Sequence, residues 1–481
     1  MPATILHISD LHRDAGSAIT STTLLESLRL DRERYMAGDQ MLAPDIAVVS
    51  GDIVLGVAAD GTDADARLVQ QYEEASEFLT ALTDLFFGGD RERVVLTPGN
   101  HDISHPHVLR ATELTALPAE SEQRAIVARQ LREEDSVWRW VGPEFALRRI
   151  HDPSTYHRRL EPYANFYSAF YQGKRSFPIE PSKQFAAHDF PELGLVVAAL
   201  SSCCNNDLFN RAGRIHPDCV AGATRAVAQQ VKRGQVALAT WHHNLAGGPN
   251  DSDYVDADVL QSLIDGGFVI GLHGHQHRPQ FLEHRFTADG KRGIAVISAG
   301  TLCGGPHTLP SGRMRAYNVV VVDPKQQAGV LHVRDMKNAS FGLPVWGPAH
   351  VTEFSGSSLA FTLKMPPRST SAMDAASEAA ALLRQGDAAG AAALVRPYRT
   401  DALARRVAVE ALEQLRDWDE IQRMCSPPRS AAEFIALAEA LYELRQKVEL
   451  AALIESDFAK NSIDAGVRQS VEQARSRLGG R

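Results

Sequence analysis

Five short motifs carry residue types suited to binding cations and moving protons: Ser9-Asp10-Leu11-His12, Ser50-Gly51-Asp52, Gly99-Asn100-His101-Asp102, Trp241-His242-His243-Asn244 and Gly274-His275-Gln276-His277. Their carboxylates, imidazoles and amide oxygen form a hard-to-borderline donor set suited to Mn, Fe or Zn, and no cysteine stands among them to draw softer metals. Two divalent ions held ~3.5–4 Å apart repel each other, so an anion is required between them, and Asp52 is the best candidate. An extended Asp-x-His or His-x-His points both side chains the same way, so each pair converges on one place. Gly51, Gly99 and Gly274 let the backbone approach it closely.

Each motif follows a predicted strand. Short β-branched runs at 4–8, 46–49 and 94–96 alternate with helical spacing at 24–36 and 68–87, an order that implies right-handed crossovers and a largely parallel sheet. Ligands bind at the carboxyl ends of such strands. Strand patterning stops over about 105–184, where charge-mixed helical sequence and an aromatic segment at 156–171 read as an inserted helical cap. It resumes at 193–200, 236–240, 268–272, 293–298, 317–322 and 329–333. A second block of strands after the first predicts an α/β (α+β) fold: a four-layer β-sandwich, two sheets face to face with helices outside. This sets a catalytic domain at 1–336. A linker rich in Gly, Ser and Pro follows at 337–374, with one edge strand at 359–363, and an all-α domain occupies 375–481.

Within that last domain, similar segments begin at Ala381, Ala411 and Ala440, 30 and 29 residues apart. The spacing is close to the ~34-residue helix-turn-helix period of tetratricopeptide arrays, and the region resembles a short degenerate array of that type. A plain helical bundle is the alternative.

The 481 residues include 50 Lys and Arg against 59 Asp and Glu, a net charge of −9, so bulk attraction to a duplex or an anionic membrane is excluded as a driving force. Five cysteines without a CxxC pair argue against a disulfide framework or a cysteine zinc site and read as buried free thiols. The first ten residues lack the basic and apolar regions of a secretion signal, and no apolar run approaches the ~20 residues of a membrane span. A soluble, cytoplasmic protein without a membrane partner is expected.

The set DLH, GD, GNHD, an apolar strand ending in His, and GHxH resembles the calcineurin-like metallophosphoesterase family, binuclear metal hydrolases of phosphate esters. All five motifs occur in order over about 1–336. The resemblance implies two divalent metal ions (Mn, Fe or Zn), with Asp10, His12 and His277 holding one, Asn100, His242 and His275 the other, and Asp52 bridging both. His243 stands as the alternative to His242, since Asn244 replaces the proline of the family's usual His-x-Pro. It also implies that His101 touches the phosphate and protonates the leaving oxygen, a task suited to imidazole, which titrates near ~6.5 in water. Asp102 would orient it. Arg13 and His243 are further candidates for substrate contact. The nucleophile implied is a water or hydroxide held between the ions.

Within that chemistry, the sequence reads as a phosphodiesterase acting on nucleotides or short, single-stranded nucleic acid, with the cap narrowing access and Arg148, Arg149, Arg158 and Arg159 as a basic patch. A phosphomonoesterase is the alternative. A third reading is an effector within a larger assembly, recruited by a protein partner or by self-association through the helical tail.

Overall fold

The fold was determined as a computed structural model describing residues 2–479, except 15, 18, 40, 60–62, 132, 134–135, 143, 246–252, 286–291, 306–308, 310–311, 339–341, 353–355 and 366–371. Two compact units divide the chain, Met1–Pro367 and Arg368–Arg481.

Sixteen strands form in the first unit among the described residues. They begin with β1 (Ala3–Ile8), β2 (Ile46–Ser50) and β3 (Val94–Thr97), followed by β4 (Thr112–Thr115), β5 (Trp138–Val141) and β6 (Ala146–Ile150). Next come β7 (Phe185–Phe190), β8 (Leu195–Leu200), β9 (Val236–Thr240), β10 (Phe268–His273), β11 (Gln280–Arg285) and β12 (Gly293–Ser298). The last four are β13 (Ala316–Asp323), β14 (Ala328–Met336), β15 (Trp346–Pro348) and β16 (Ser358–Thr362).

One sheet runs β15-β14-β13-β1-β2-β3, with β16 also on β14, and a second runs β11-β12-β10-β9-β8-β7. The first is parallel over β1-β2-β3 and antiparallel from β1 through β13 and β14 to β15, while the second is parallel over β12-β10-β9-β8 and antiparallel at both edges. The period-two rule sorts the side chains. Ala3, Ile5, Ile46 and Val48 face Leu195, Val197, Leu238 and Ile270 of the other sheet. Leu6, Ile8, Ala47 and Val49 face outward onto the helices Ser21–Gly38 and Ala64–Phe87. The second sheet's outer face packs on Pro217–Lys232 and Ala257–Asp265. These are the four layers the sequence predicts.

The segment 105–184 differs from its expected all-helical form, since β4, β6 and β5 make a small antiparallel sheet there. These strands are short, with arginines and exposed positions that break any apolar alternation. The aromatic stretch is a helix, Glu161–Phe170, whose Tyr163, Phe166, Tyr167 and Phe170 are buried in the same core as Ala64–Phe87. Parts of the expected linker, 339–341, 353–355 and 366–371, lie outside the described residues, and the rest contributes β15 and β16 to the first sheet.

A buried ion pair fastens the Ser21–Gly38 helix to β14. Arg334 reaches Asp31 with two nitrogens, at 2.5 and 2.7 Å, while the Tyr317 hydroxyl donates to the same carboxylate. Both partners are almost wholly enclosed. Arg334→Met strands the Asp31 charge, and we expect a loss of about 3–5 kcal/mol in urea unfolding.

In the second unit, helices Ala372–Arg384 and Ala388–Val395, Ala402–Leu415 and Trp418–Cys425, and Ala431–Glu443 and Lys447–Ile454 follow as pairs, then Asp457–Asn461 and Ala465–Gly479. The pairs keep the sequence spacing of 30 and 29 residues. Asp387 and Asp417 occupy equivalent turns and each caps the second helix of its pair through the backbone N–H of Gly390 or Glu420. No helix among the described residues is long and apolar enough to cross a membrane.

Candidate metal centre

The five motifs meet where the carboxyl ends of β1, β2 and β3 face those of β9 and β10. Backbone bonds lock the turns together: Asp10 N–H donates to Gly51 O at 3.1 Å, His12 N–H to Asp52 O at 3.0 Å, and Gly274 N–H to His242 O at 3.1 Å. A Cβ on Gly51 would collide with the His242 ring, and φ there is +93°. One on Gly274 would collide with Ser9 Oγ and Asp10. Both positions need glycine, as expected from the sequence. Asp10, His12, Asp52, His275 and His277 all take positive φ, between 43° and 77°, in the left-handed region that non-glycine residues rarely adopt.

Three donor clusters result: Asp10, His12 and His277; His12, Asp52 and His101; and Asp52, His242 and His275. His277 Nε2 lies 3.1 Å from Asp10 Oδ1 and 3.1 Å from His12 Nε2. His242 Nε2 lies 3.2 Å from Asp52 Oδ2 and 3.1 Å from Asn100 Oδ1, which is 3.0 Å from His275 Nδ1. All seven sequence-predicted ligands are therefore brought together, with Asp52 between the two groups.

The donors fit divalent cations. Atoms ~2.1 Å from one ion stand ~3.0–3.4 Å apart in octahedral or tetrahedral array, which is the spacing seen here. Asp10 Oδ1 is buried without a hydrogen bond. The tautomer of His242 is fixed, because Nδ1 can only donate to Ser50 O at 2.8 Å, leaving the Nε2 lone pair facing inward.

Burial and neighbouring charge shift these groups in opposite directions, and His242 would shed a proton on taking an ion. Burial would raise the Asp52 carboxyl, yet the imidazoles of His242, His101 and His12 hold it well below its ordinary range. Burial likewise opposes charge on His242, but Asp52 and then Asp10 outweigh it and lift that imidazole to about 9. Burial drives His12 down to about 4. It would therefore be neutral at pH 7, the form in which imidazole ligates a metal.

His101 stands at the mouth of the site, its side chain 40% exposed, with Nε2 3.9 Å from Asp52 Oδ2. Its Nδ1 donates to Leu55 O at 2.5 Å. This backbone carbonyl, rather than Asp102, orients the ring. Asp102 is buried and accepts from the N–H groups of Gly99, Ile53 and Val54, so it ties the turn after β3 to the turn after β2. Burial and the nearby Asp52 charge raise its carboxyl to about 7.

Two expected substrate contacts are corrected. Arg13 is buried, with Nη1 on Ile19 O, Nη2 on Ser21 Oγ and the Phe78 ring beneath it, so its guanidinium is spent inside the fold. His243 is wholly buried with Nδ1 against Ser202 Oγ at 2.8 Å and Nε2 against Asn206 Nδ2 at 3.1 Å, which leaves neither nitrogen for a metal or substrate.

A cavity of about 490 Å³ opens on Asn100, His101 and His275. Leu55, Val57, Ala58 and Leu208 also line it, as do Asp207, Asp253 and Arg211. Among its described residues the 105–184 insertion contributes only His105 to this lining, so they do not roof the cleft as expected. They brace one wall instead. Arg159 gathers the carbonyls of Cys203, Cys204 and Asn206, and Arg139 and Tyr156 both reach Asp207 Oδ2 at 2.6 Å. The expected basic patch dissolves accordingly: Arg159 is internal, Arg158 pairs with Glu161, Arg148 reaches Thr112, and Arg149 lies over Trp138. Arg211 and Asp253 were missed in the sequence because neither belongs to a motif.

The family model for calcineurin-like phosphoesterases matches residues 3–279, more than half of the chain, and the chain belongs to that family. It is accordingly a metal-dependent hydrolase of phosphoester bonds, with a binuclear centre of divalent ions. Among solved structures, the chain is similar to a dimetal phosphatase from Danio rerio, at 12% identity and a TM-score of 0.35, covering 76% of this chain and 100% of that one. It is also similar to the Thermus thermophilus protein TT1561, at 10% identity and a TM-score of 0.31, covering 68% and 96%. No curated protein matches it.

Proposed function

We propose that the chain is a phosphodiesterase acting on nucleotides or short single-stranded nucleic acid. Asp10, His12 and His277 would hold one ion, Asn100, His242 and His275 the second, and Asp52 both. Such a pair, whether Mn, Fe or Zn, supplies an activated water and neutralises phosphoryl charge. His101, held through Nδ1 with its side chain half exposed at the mouth of the site, is positioned to protonate the leaving oxygen. Its geometry comes from Leu55 O.

The observation that carries the diester reading is the make-up of the 490 Å³ cleft. Arg211 is its one arginine or lysine among the described residues, against the carboxylates of Asp207 and Asp253, while Leu55, Val57, Ala58 and Leu208 give it apolar surface. A diester phosphate carries one negative charge and a second organic group. A monoester carries up to two charges and no second group, and this lining suits it less. Five free cysteines, four of them buried, fit a reducing compartment such as the cytoplasm. The helix pairs of the second unit support the tetratricopeptide-like reading, and with it a protein partner or self-association.

The test is the rate of Mn²⁺-supplemented protein on bis(p-nitrophenyl) phosphate against p-nitrophenyl phosphate. Faster diester cleavage is expected, and a preference for the monoester would replace this reading by the phosphomonoesterase one.

A further inference from the structure

We infer that Asp253 is a positioning residue for the second metal site, fixing the tautomer and aim of His275. This rests on the assignment of His275 as a ligand. The two ring nitrogens of His275 face different surroundings. Nδ1 lies 3.0 Å from Asn100 Oδ1 and 3.3 Å from His242 Nε2, inside the donor cluster. Nε2 lies 3.1 Å from Asp253 Oδ2, on the cleft side. A neutral imidazole carries a single N–H, and a carboxylate can only accept it. The proton therefore resides on Nε2, which leaves the Nδ1 lone pair facing the donor cluster that would hold the ion.

His275 needs such a support. Its φ of 77° puts it outside strand geometry, so β10 does not itself set the direction of the ring. For His242 the equivalent task falls to a backbone carbonyl, Ser50 O, whose place β2 fixes. Asp253 is also held from behind. Val255 N–H donates to Asn244 O at 2.7 Å, and Tyr254 bridges Asn244, two residues beyond His242. The chain that carries one ligand of the cluster thus anchors the carboxylate that aims another. The second oxygen, Asp253 Oδ1, is buried and has no hydrogen-bond partner among the described residues, while Oδ2 meets His275.

Calorimetric titration of the metal-free full chain with Mn²⁺ tests the inference. Wild type should take two ions per chain. Asp253→Ala should keep one affinity and weaken the other by ~10–100-fold. Asp253→Asn, which retains an oxygen acceptor, should recover part of the loss. With Co²⁺ in place of Mn²⁺, the visible spectrum of only one ion should change in Asp253→Ala. Two ions bound with wild-type affinity in Asp253→Ala would overturn the inference alone. So would an equal weakening of both sites with a lowered melting temperature of the metal-free chain, which marks a general structural role. Fewer than two ions in wild type would overturn the dimetal assignment and this inference with it.

Discussion

Asp52→Asn should lose at least ~10³-fold in turnover while the fold survives. Asp52 is buried and stands between both donor groups, with Oδ2 3.2 Å from His242 Nε2 and Oδ1 accepting the His101 N–H at 2.8 Å. Asparagine has the same shape, can still accept from His101, and tolerates the left-handed φ of 50° as aspartate does. What disappears is the negative charge, on which two mutually repelling cations depend. Steady-state rates, with circular-dichroism melting as the control for folding, decide the matter. A wild-type rate in the variant would end the binuclear reading.

His101→Ala should lower turnover by ~10²–10⁴-fold with bound metal unchanged. The side chain is anchored at Leu55 O, and its Nε2 is farther from Asp52 Oδ2, at 3.9 Å, than that of His242. Its service is to the leaving group. The loss should therefore be larger for an alkyl ester than for a p-nitrophenyl ester, whose phenolate departs without a proton. Because His12, Asp52 and His101 also form a donor cluster, metal analysis of the variant is the discriminating measurement. A missing ion would make His101 a ligand.

The buried strands were legible because short β-branched and apolar runs such as Thr4–Ile8 pack into a core, and the motifs mark where those runs end. What escaped were elements without such a signal. β4 and β6 carry Glu113, Arg148 and Arg149, β11 is partly exposed, and β15 has three residues. The same divide runs through the site. The residues expected as ligands sit within motifs, and all seven converge. Supporting roles depend on which way a side chain turns after its strand ends, and adjacency cannot report that: Arg13 follows Asp-x-His yet turns inward to Ile19 and Ser21. Asp253, eleven residues past His242 and outside every motif, meets the centre through His275. The cap was misread for a related reason, since Arg159 and Arg139 look like surface charge until their partners at 203–207 are known.

The left-handed backbone at Asp10, His12, Asp52, His275 and His277 bears on how this enzyme would respond to selection. The histidines there cost about 1–2 kcal/mol each, and glycine would relieve that strain while deleting a side chain proposed to hold metal. Variants chosen for heat resistance alone would drift toward inert proteins that melt later than their parent. Directed evolution of this scaffold must therefore screen for hydrolysis and durability together, with the ions present throughout.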